Sequence, residues 1–170
     1  FKMYSNFNHD EYARTKQRSD FWGQIRRTQS GQPVDENQIK LIVDSIVYYL
    51  EISKSDTIID LACGNGALSS KIQSYCEKII GIDSSEYLIS VAKEFFESEE
   101  LNFSCTKIED FIAISSTIVE PCNKLLCYGS FAYFDDSLID ALLKWFEATP
   151  NFKYFFIGNL PNKLKYKNFF

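Results

Sequence analysis

At 170 residues the chain is one domain's worth of protein, able to bury about 70% of its unfolded surface, and its 45% apolar content, rich in Phe and Tyr, excludes a disordered chain. A net charge of −5 gives no bulk attraction to nucleic-acid phosphates, and no stretch reaches the ~18 apolar residues that span a bilayer, nor is a signal peptide apparent. Cys63, Cys76, Cys105, Cys122 and Cys127 are odd in number and lack metal-ligand spacing, so they read as free thiols of a reducing cytoplasm, with no metal implied.

Taken in order, residues 8 to 28 carry Tyr12, Phe21, Trp22 and Ile25 among charges and predict one or two N-terminal helices, which Ser30-Gly31-Gln32-Pro33 breaks. Asp35 then precedes an amphipathic helix with Ile39, Ile42, Val43, Ile46 and Leu50 on one face. Thr57–Leu61 is the first strand, with a helix over about Leu68–Tyr75. Lys78–Asp83 is the second, with a helix from about Ser85 that carries Leu88, Val91, Ala92 and Phe95. Leu101–Thr106 and Lys124–Tyr128 read as the third and fourth strands. Leu138, Leu142 and Phe146 mark a further helix, and Lys153–Ile157 a fifth strand. Strands alternating with helices predict a doubly wound parallel sheet. Arg26-Arg27, the run Lys163-Leu164-Lys165-Tyr166-Lys167 and the acidic Glu97-Ser98-Glu99-Glu100 read as solvated surface. The division expected is an N-terminal helical lid over 1–34 and a ligand-binding domain over 35–170.

The segment Thr57–Leu68, TIIDLACGNGAL, carries the most chemistry. A β-branched run stops at Asp60, a small-residue turn Ala62-Cys63-Gly64-Asn65-Gly66 follows, and a helix opens at Ala67. Glycine, without a Cβ, lets backbone amides approach a nucleotide-like ligand at a helix N-terminus. Asp83 ends the next strand roughly 20 residues past Gly64, the spacing at which a carboxylate meets a ribose diol in dinucleotide folds. Two ligands compete. The NAD fingerprint needs a third glycine where Ser69 stands, and Asp60 would repel a pyrophosphate. An acid at that tip suits a ligand with an ammonium and a sulfonium, which favours S-adenosylmethionine.

IIDLACGNG resembles the first motif of the class I S-adenosylmethionine-dependent methyltransferases, commonly a strand followed by Asp-x-Gly-x-Gly-x-Gly. This sequence departs from it at Ala62 and Cys63. GIDSSEYLISVAKEF resembles the family's second strand and helix, and CYGSFAYF its fourth-strand exit, so the similarity covers roughly residues 35 to 160. The resemblance implies an α/β, Rossmann-like fold with N-terminal helices, truncated after the fifth strand, since the family continues with a helix and an antiparallel strand pair. It implies that Asp60 orients the methionyl ammonium and that Ala62, Cys63, Gly64, Asn65 and Gly66 turn beneath the methionyl and ribose. Asp83 would hold the ribose, with Ser84 bordering the adenosine. Ile108 and Glu109 would line the adenine, although Lys107 stands where the family often has an acid, and a solvated loop is the competing reading of Glu109 and Asp110. Cys127 and Tyr128 would face the reacting methyl group.

The N-terminal stretch resembles, more distantly, methyltransferases of surface polysaccharides and other small acceptors. Gln24 or Arg27 there reads either as a lid group for the cofactor carboxylate or as part of a plain packing helix. No general base is assigned: His9 has no motif around it, and Tyr128 and Tyr133 carry no stronger claim. Asn159-Leu160-Pro161-Asn162 only echoes the signature of exocyclic-amine nucleic-acid methyltransferases, and after the wrong strand. The expected function is methyl transfer from S-adenosylmethionine to an O or N atom of a small molecule, a sugar being one candidate, without nucleic-acid or membrane partners. An NAD-dependent oxidoreductase and a non-catalytic binding module stay open as alternatives.

Overall fold

The computed structural model describes residues 8–29, 32–114 and 122–160. The basic run at 163–167 lies outside them, as do Ser30 and Gly31. Two short helices, α1 (His9–Arg14) and α2 (Phe21–Gln24), lead into a pair of two-residue antiparallel strands, β1 (Thr28–Gln29) and β2 (Gln32–Pro33). The strand pair is absent from the expectation because two residues per strand carry no periodicity. Helix α3 (Glu36–Tyr49) follows, then β3 (Thr57–Leu61), α4 (Ala67–Gln73), β4 (Lys78–Asp83), α5 (Glu86–Phe96), β5 (Leu101–Cys105), α6 (Ile108–Ile114), β6 (Lys124–Tyr128), a 3-10 turn (Phe131–Tyr133), α7 (Asp136–Ala148) and β7 (Tyr154–Gly158).

The five longer strands form one parallel sheet in the order β5-β4-β3-β6-β7. Strand β3 is buried along its whole length, because helices cover both faces of a parallel sheet. Its alternate residues feed two cores. Ile58, with Ile79, Leu101 and Phe103, packs under Ile39, Val43 and Ile46 of α3, Leu68 and Ile72 of α4, and Ile89 of α5. Ile59 and Leu61, with Ile82, Leu125 and Cys127, pack under Phe111 of α6 and Leu138 and Leu142 of α7.

Local chemistry fixes where the helices start. Asp35 caps α3 in a reciprocal capping box with Gln38, Asp35 Oδ1 accepting the Gln38 N–H at 2.8 Å. Ser85 caps α5 through the Leu88 N–H at 3.1 Å. The segment from Ile108, expected as adenine lining or loop, is the helix α6, which buries Ile108 and Phe111 while Glu109 and Asp110 occupy its first turn.

At the strands' N-terminal end, the buried Lys124 pairs with Asp56 at 2.8 Å and donates to the Glu51 carbonyl. Asn123 and Ser53 donate to the same Asp56 carboxylate. Burial raises the Asp56 pKa, but the bonds from Lys124 and Ser53 outweigh it and hold the carboxyl below its ordinary value. This network closes the end of the sheet opposite the ligand crevice. The crevice lies where β3 and β6 part company: their connections leave in opposite directions, the switch point at which open α/β sheets bind ligands.

Candidate active site

Three residues of the turn after β3 adopt left-handed backbone: Ala62 at φ 55°, Gly64 at 61° and Gly66 at 73°. At Gly66 a Cβ would stand 2.4 Å from the Phe103 ring, so only glycine fits between this turn and β5. Ala62, at the position where the family pattern has glycine, takes the left-handed conformation despite its Cβ.

One strand-end acid binds this turn and the other binds the helix that follows it. Asp83 Oδ2 accepts the Gly64 N–H at 2.9 Å and its Oδ1 accepts the Ser85 N–H at 2.8 Å, so one carboxylate anchors the turn and the start of α5 together. Burial raises the Asp83 pKa against the pull of those amides and of His9. Asp60 is 2% exposed and accepts the Ser69 hydroxyl at 2.6 Å. Burial chiefly, with the charge of Asp83 added, pushes Asp60 up to about 7, against the pull of Ser69 and Arg27. Ser69 thus occupies the third-glycine position of a dinucleotide fingerprint with a hydroxyl committed to Asp60.

A cavity of about 300 Å³ opens beside Asp83. Ala62, Asp83, Ser84, Ile108 and Glu109 line it, all five named from the sequence, together with Lys107. Its remaining wall is Phe134 and Leu138, which sequence reasoning missed because apolar residues at a helix entrance carry no motif. Asp60, Gly64 and Gly66, also named from the sequence, are not among its lining residues; Asp60 is buried behind the turn.

The other named residues turn elsewhere. Cys63 packs into the core beneath α3 to α5, its Sγ 2.9 Å from where a Cβ on Gly81 would stand. Cys127 is buried in the opposite core. Each offers the crevice backbone alone. Tyr128 lies half-buried with the Arg27 guanidinium 4.6 Å from its ring centroid.

Asn65 is fully buried and faces the N-terminal segment. Its Nδ2 donates to the Phe21 carbonyl at 2.8 Å and to Gln24 Oε1 at 2.9 Å, while Gln24 Nε2 donates to the carbonyls of Gln17 and Arg18. Gln24, read as one of two groups for a cofactor carboxylate, is therefore spent on holding this segment to the turn. Further along, Asp10 accepts the Ser85 hydroxyl at 2.5 Å and Arg18 pairs with Glu94 at 2.5 Å. The guanidinium groups of Arg14 and Arg18 lie over the Tyr87 ring. His9, on the exposed side of α1, meets Tyr133 edge to face at 5.0 Å, and its pKa is lowered by burial and by Arg26. Residues 8–29 form a strap pinned along α5 and over the glycine turn.

Replacing Asn65 with Ala strands the Phe21 carbonyl and Gln24 Oε1 without donors. Expected are a stability loss of about 1–3 kcal/mol in urea denaturation and faster proteolytic clipping before Val34. Unchanged protease resistance would show that the strap is held by its other contacts.

The sequence profile of the family described as "Methyltransferase domain" matches residues 58–148. An uncharacterized methyltransferase of Schizosaccharomyces pombe is 38% identical over 53 residues, covering 31% of this chain and 20% of that protein. A ubiquinone biosynthesis O-methyltransferase of Coxiella burnetii is 29% identical over 92 residues, covering 53% of this chain and 37% of that protein. The chain thus spans well under half the length of these curated relatives. Among solved structures, a precorrin-8w decarboxylase of Methanobacterium thermoautotrophicum has a TM-score of 0.56 at 14% identity, covering 80% of this chain and 69% of that one. A mycolic acid cyclopropane synthase crystallised with S-adenosylhomocysteine has a TM-score of 0.55 at 17% identity, covering 69% and 41%. Shared fold, glycine turn and matched residues lead to one conclusion: the chain belongs to the methyltransferase-domain family of class I, S-adenosylmethionine-dependent methyltransferases.

Proposed function

We propose that the crevice at the C-terminal ends of β3, β4 and β6 binds S-adenosylmethionine and that the chain directs its methyl group to an O or N atom of a small-molecule acceptor, a sugar being one candidate. The observation that carries this reading is the pair of strand-end carboxylates, Asp60 and Asp83, flanking a left-handed glycine turn beside an open cavity. Those features fit the cofactor: the left-handed turn presents bare backbone at the strand tips, the cavity beside Asp83 offers room for an adenosyl group, and each acid suits a different end of the ligand.

In this reading Asp83 accepts from the ribose diol, Ser84 and Ile108 border the base, and Glu109 accepts from the adenine amino group. Asp60 faces the methionyl ammonium, Gly64 and Gly66 pass beneath the chain joining the two ends, and Ala62, Cys63, Asn65, Cys127 and Tyr128 contribute backbone or flanking surface. The sulfonium supplies an electrophilic methyl group when bound, and the protein's share of the chemistry is alignment and exclusion of water. A nitrogen acceptor need only arrive neutral, whereas a hydroxyl acceptor calls for a base, to which no residue is assigned.

A small acceptor is preferred over nucleic acid on the net charge of −5, although a 23S rRNA uracil-C5 methyltransferase of Legionella pneumophila, 23% identical over 88 residues, is among the relatives. Five free cysteines support a reducing cytoplasm. No helix among the described residues is long and apolar enough to cross a membrane.

Calorimetric titration with S-adenosylhomocysteine tests the cofactor assignment. Binding is expected, with no heat from NAD. Binding of NAD in its place would favour an oxidoreductase, and binding of neither a non-catalytic module.

A further inference from the structure

The proposed cofactor contacts leave a hydroxyl acceptor without a base, and the strap brings one to the mouth of the crevice. Asp10 Oδ1 accepts the Ser85 hydroxyl at 2.5 Å and the Tyr87 N–H at 3.3 Å, which sets the first turn of α1 against the exit of β4. The neighbouring His9 reaches the other way, to the Tyr133 ring in the 3-10 turn beyond β6, with 5.0 Å between centroids and 84° between planes. Strands β4 and β6 flank β3 in the sheet, so two consecutive residues span the exit of β3 from one side to the other. The cavity opens along the same line: its wall includes Asp83 and Ser84, which precede Ser85, and Phe134, which follows Tyr133.

His9 is the one histidine of the chain, and its surroundings fit proton uptake. Arg26, left-handed at φ 54°, and Asp83 act on it with opposite charges, and the Tyr133 ring beside it is 44% exposed, so that flank stays open to an incoming molecule. Burial first, then the Arg26 guanidinium, lowers the His9 pKa against the pull of Asp83. The imidazole is therefore neutral at pH 7, the form that accepts a proton. The other titratable groups at the strand tips are committed. Asp83 holds the Gly64 and Ser85 amides, Asp60 is buried against Ser69, and the Arg27 guanidinium lies over the Tyr128 ring.

We infer that His9 is the base for a hydroxyl-bearing acceptor, received between α1 and the turn beyond β6, and that Tyr133 is the positioning residue that restrains the imidazole. The inference rests on the proposed use of S-adenosylmethionine and narrows the acceptor atom from O or N to the oxygen of a hydroxyl. As that oxygen bonds to the methyl carbon, His9 takes the hydroxyl proton. The carbon–sulfur bond breaks with its electron pair left on sulfur, and the imidazolium passes its proton to water. An edge-to-face contact with Tyr133 limits the tilt of the ring, which is what a base needs in order to meet one oxygen.

The first test needs no acceptor. With a single histidine, NMR of the histidine-labelled full chain reports the His9 titration directly. It is run with S-adenosylhomocysteine, a neutral thioether, and with sinefungin, which carries a protonated amine in place of the methylated sulfur. A cation fixed near His9 disfavours its protonation, so the midpoint should lie about half a pH unit or more lower with sinefungin. Tyr133→Ala should raise the midpoint and shrink the gap between the two ligands, and an unchanged titration would remove Tyr133 from the assignment. Equal midpoints for the two ligands would place His9 away from the reacting methyl group and overturn its role. A chain that binds neither ligand overturns the cofactor reading itself, which equal midpoints leave standing. The second test offers catechol and methyl glucoside as hydroxyl probes and benzylamine as an amine probe. Transfer to a hydroxyl should rise with pH in step with the His9 titration, and His9→Gln should lower kcat about a hundredfold with the KM for S-adenosylmethionine unchanged and that pH limb lost. Transfer to benzylamine alone, or a His9→Gln variant as fast as the wild type, would overturn the inference.

Discussion

Replacing Asp83 with Ala is expected to lower affinity for S-adenosylhomocysteine by at least a hundredfold. In the proposed complex the carboxylate accepts two ribose hydroxyls, and hydrogen bonds to a charged group contribute about 1.5–3 kcal/mol each. Losing two therefore removes about 3 kcal/mol or more, and each 1.4 kcal/mol is roughly a factor of ten. The same carboxylate holds the Gly64 and Ser85 amides, so the turn loosens as well. Titration with 5′-methylthioadenosine separates this effect from contacts made to the amino-acid end of the ligand. The thioether keeps the ribose and lacks the amino-acid end, so Asp83→Ala should weaken it as severely as the full ligand. Retained affinity in calorimetry for either ligand would remove Asp83 from the site.

The second large effect sets stability against binding at Asp60. With its pKa lifted to about 7, chiefly by burial, Asp60 stays protonated in the folded chain at pH values where the unfolded carboxyl is already ionised. The folded state then holds the extra proton, so the stability tied to this group is complete below about pH 4 and is lost as pH climbs through 7. Asp60→Asn keeps an oxygen for the Ser69 hydroxyl and abolishes the titration. Its stability relative to wild type should therefore grow by about 2–3 kcal/mol between pH 5 and pH 8, at 1.36 kcal/mol for each pH unit below the folded value. Urea denaturation at the two pH values measures this, and a difference independent of pH would contradict the raised pKa. The same variant should bind S-adenosylhomocysteine at least tenfold more weakly, because the ammonium loses its counter-charge. Wild-type affinity should increase from pH 6 to pH 8 as the carboxylate ionises. A destabilised native group that earns its place through binding is the usual trade-off at functional sites.

Most of the architecture could be read from the residues, because the signals were local. Thr57–Leu61, Lys78–Asp83 and Lys124–Tyr128 are apolar or β-branched runs bounded by turn residues, and the strands occur over those ranges. Asp35 and Ser85 announced the starts of α3 and α5 by cap chemistry. Helix α6 went unread because IEDFIAI is too short to display a period and its two acids looked solvated. The positions of Asp60, Asp83 and the glycines at two strand tips and the turn between them were legible, since they follow from strand, turn and spacing. Asn65, Cys63 and Cys127 sit in the right motifs, but which way a side chain points depends on packing partners far away in sequence. The Asn65–Gln24 contact joins residues separated by 41 positions, and no local pattern encodes that.

The pairing of β3 with β6 sets Ile58 beside Lys124. Everything the crevice needs from β6 is thus delivered only after a long intervening segment has been ordered, and such non-local closure is slow because chain entropy must be given up before the contact rewards it. Refolding should accordingly form the β4–β5 half early and the ligand-competent state last. Ligand added during refolding would then leave the folding rate untouched and slow unfolding alone, since nothing short of the completed sheet presents it with a place to dock.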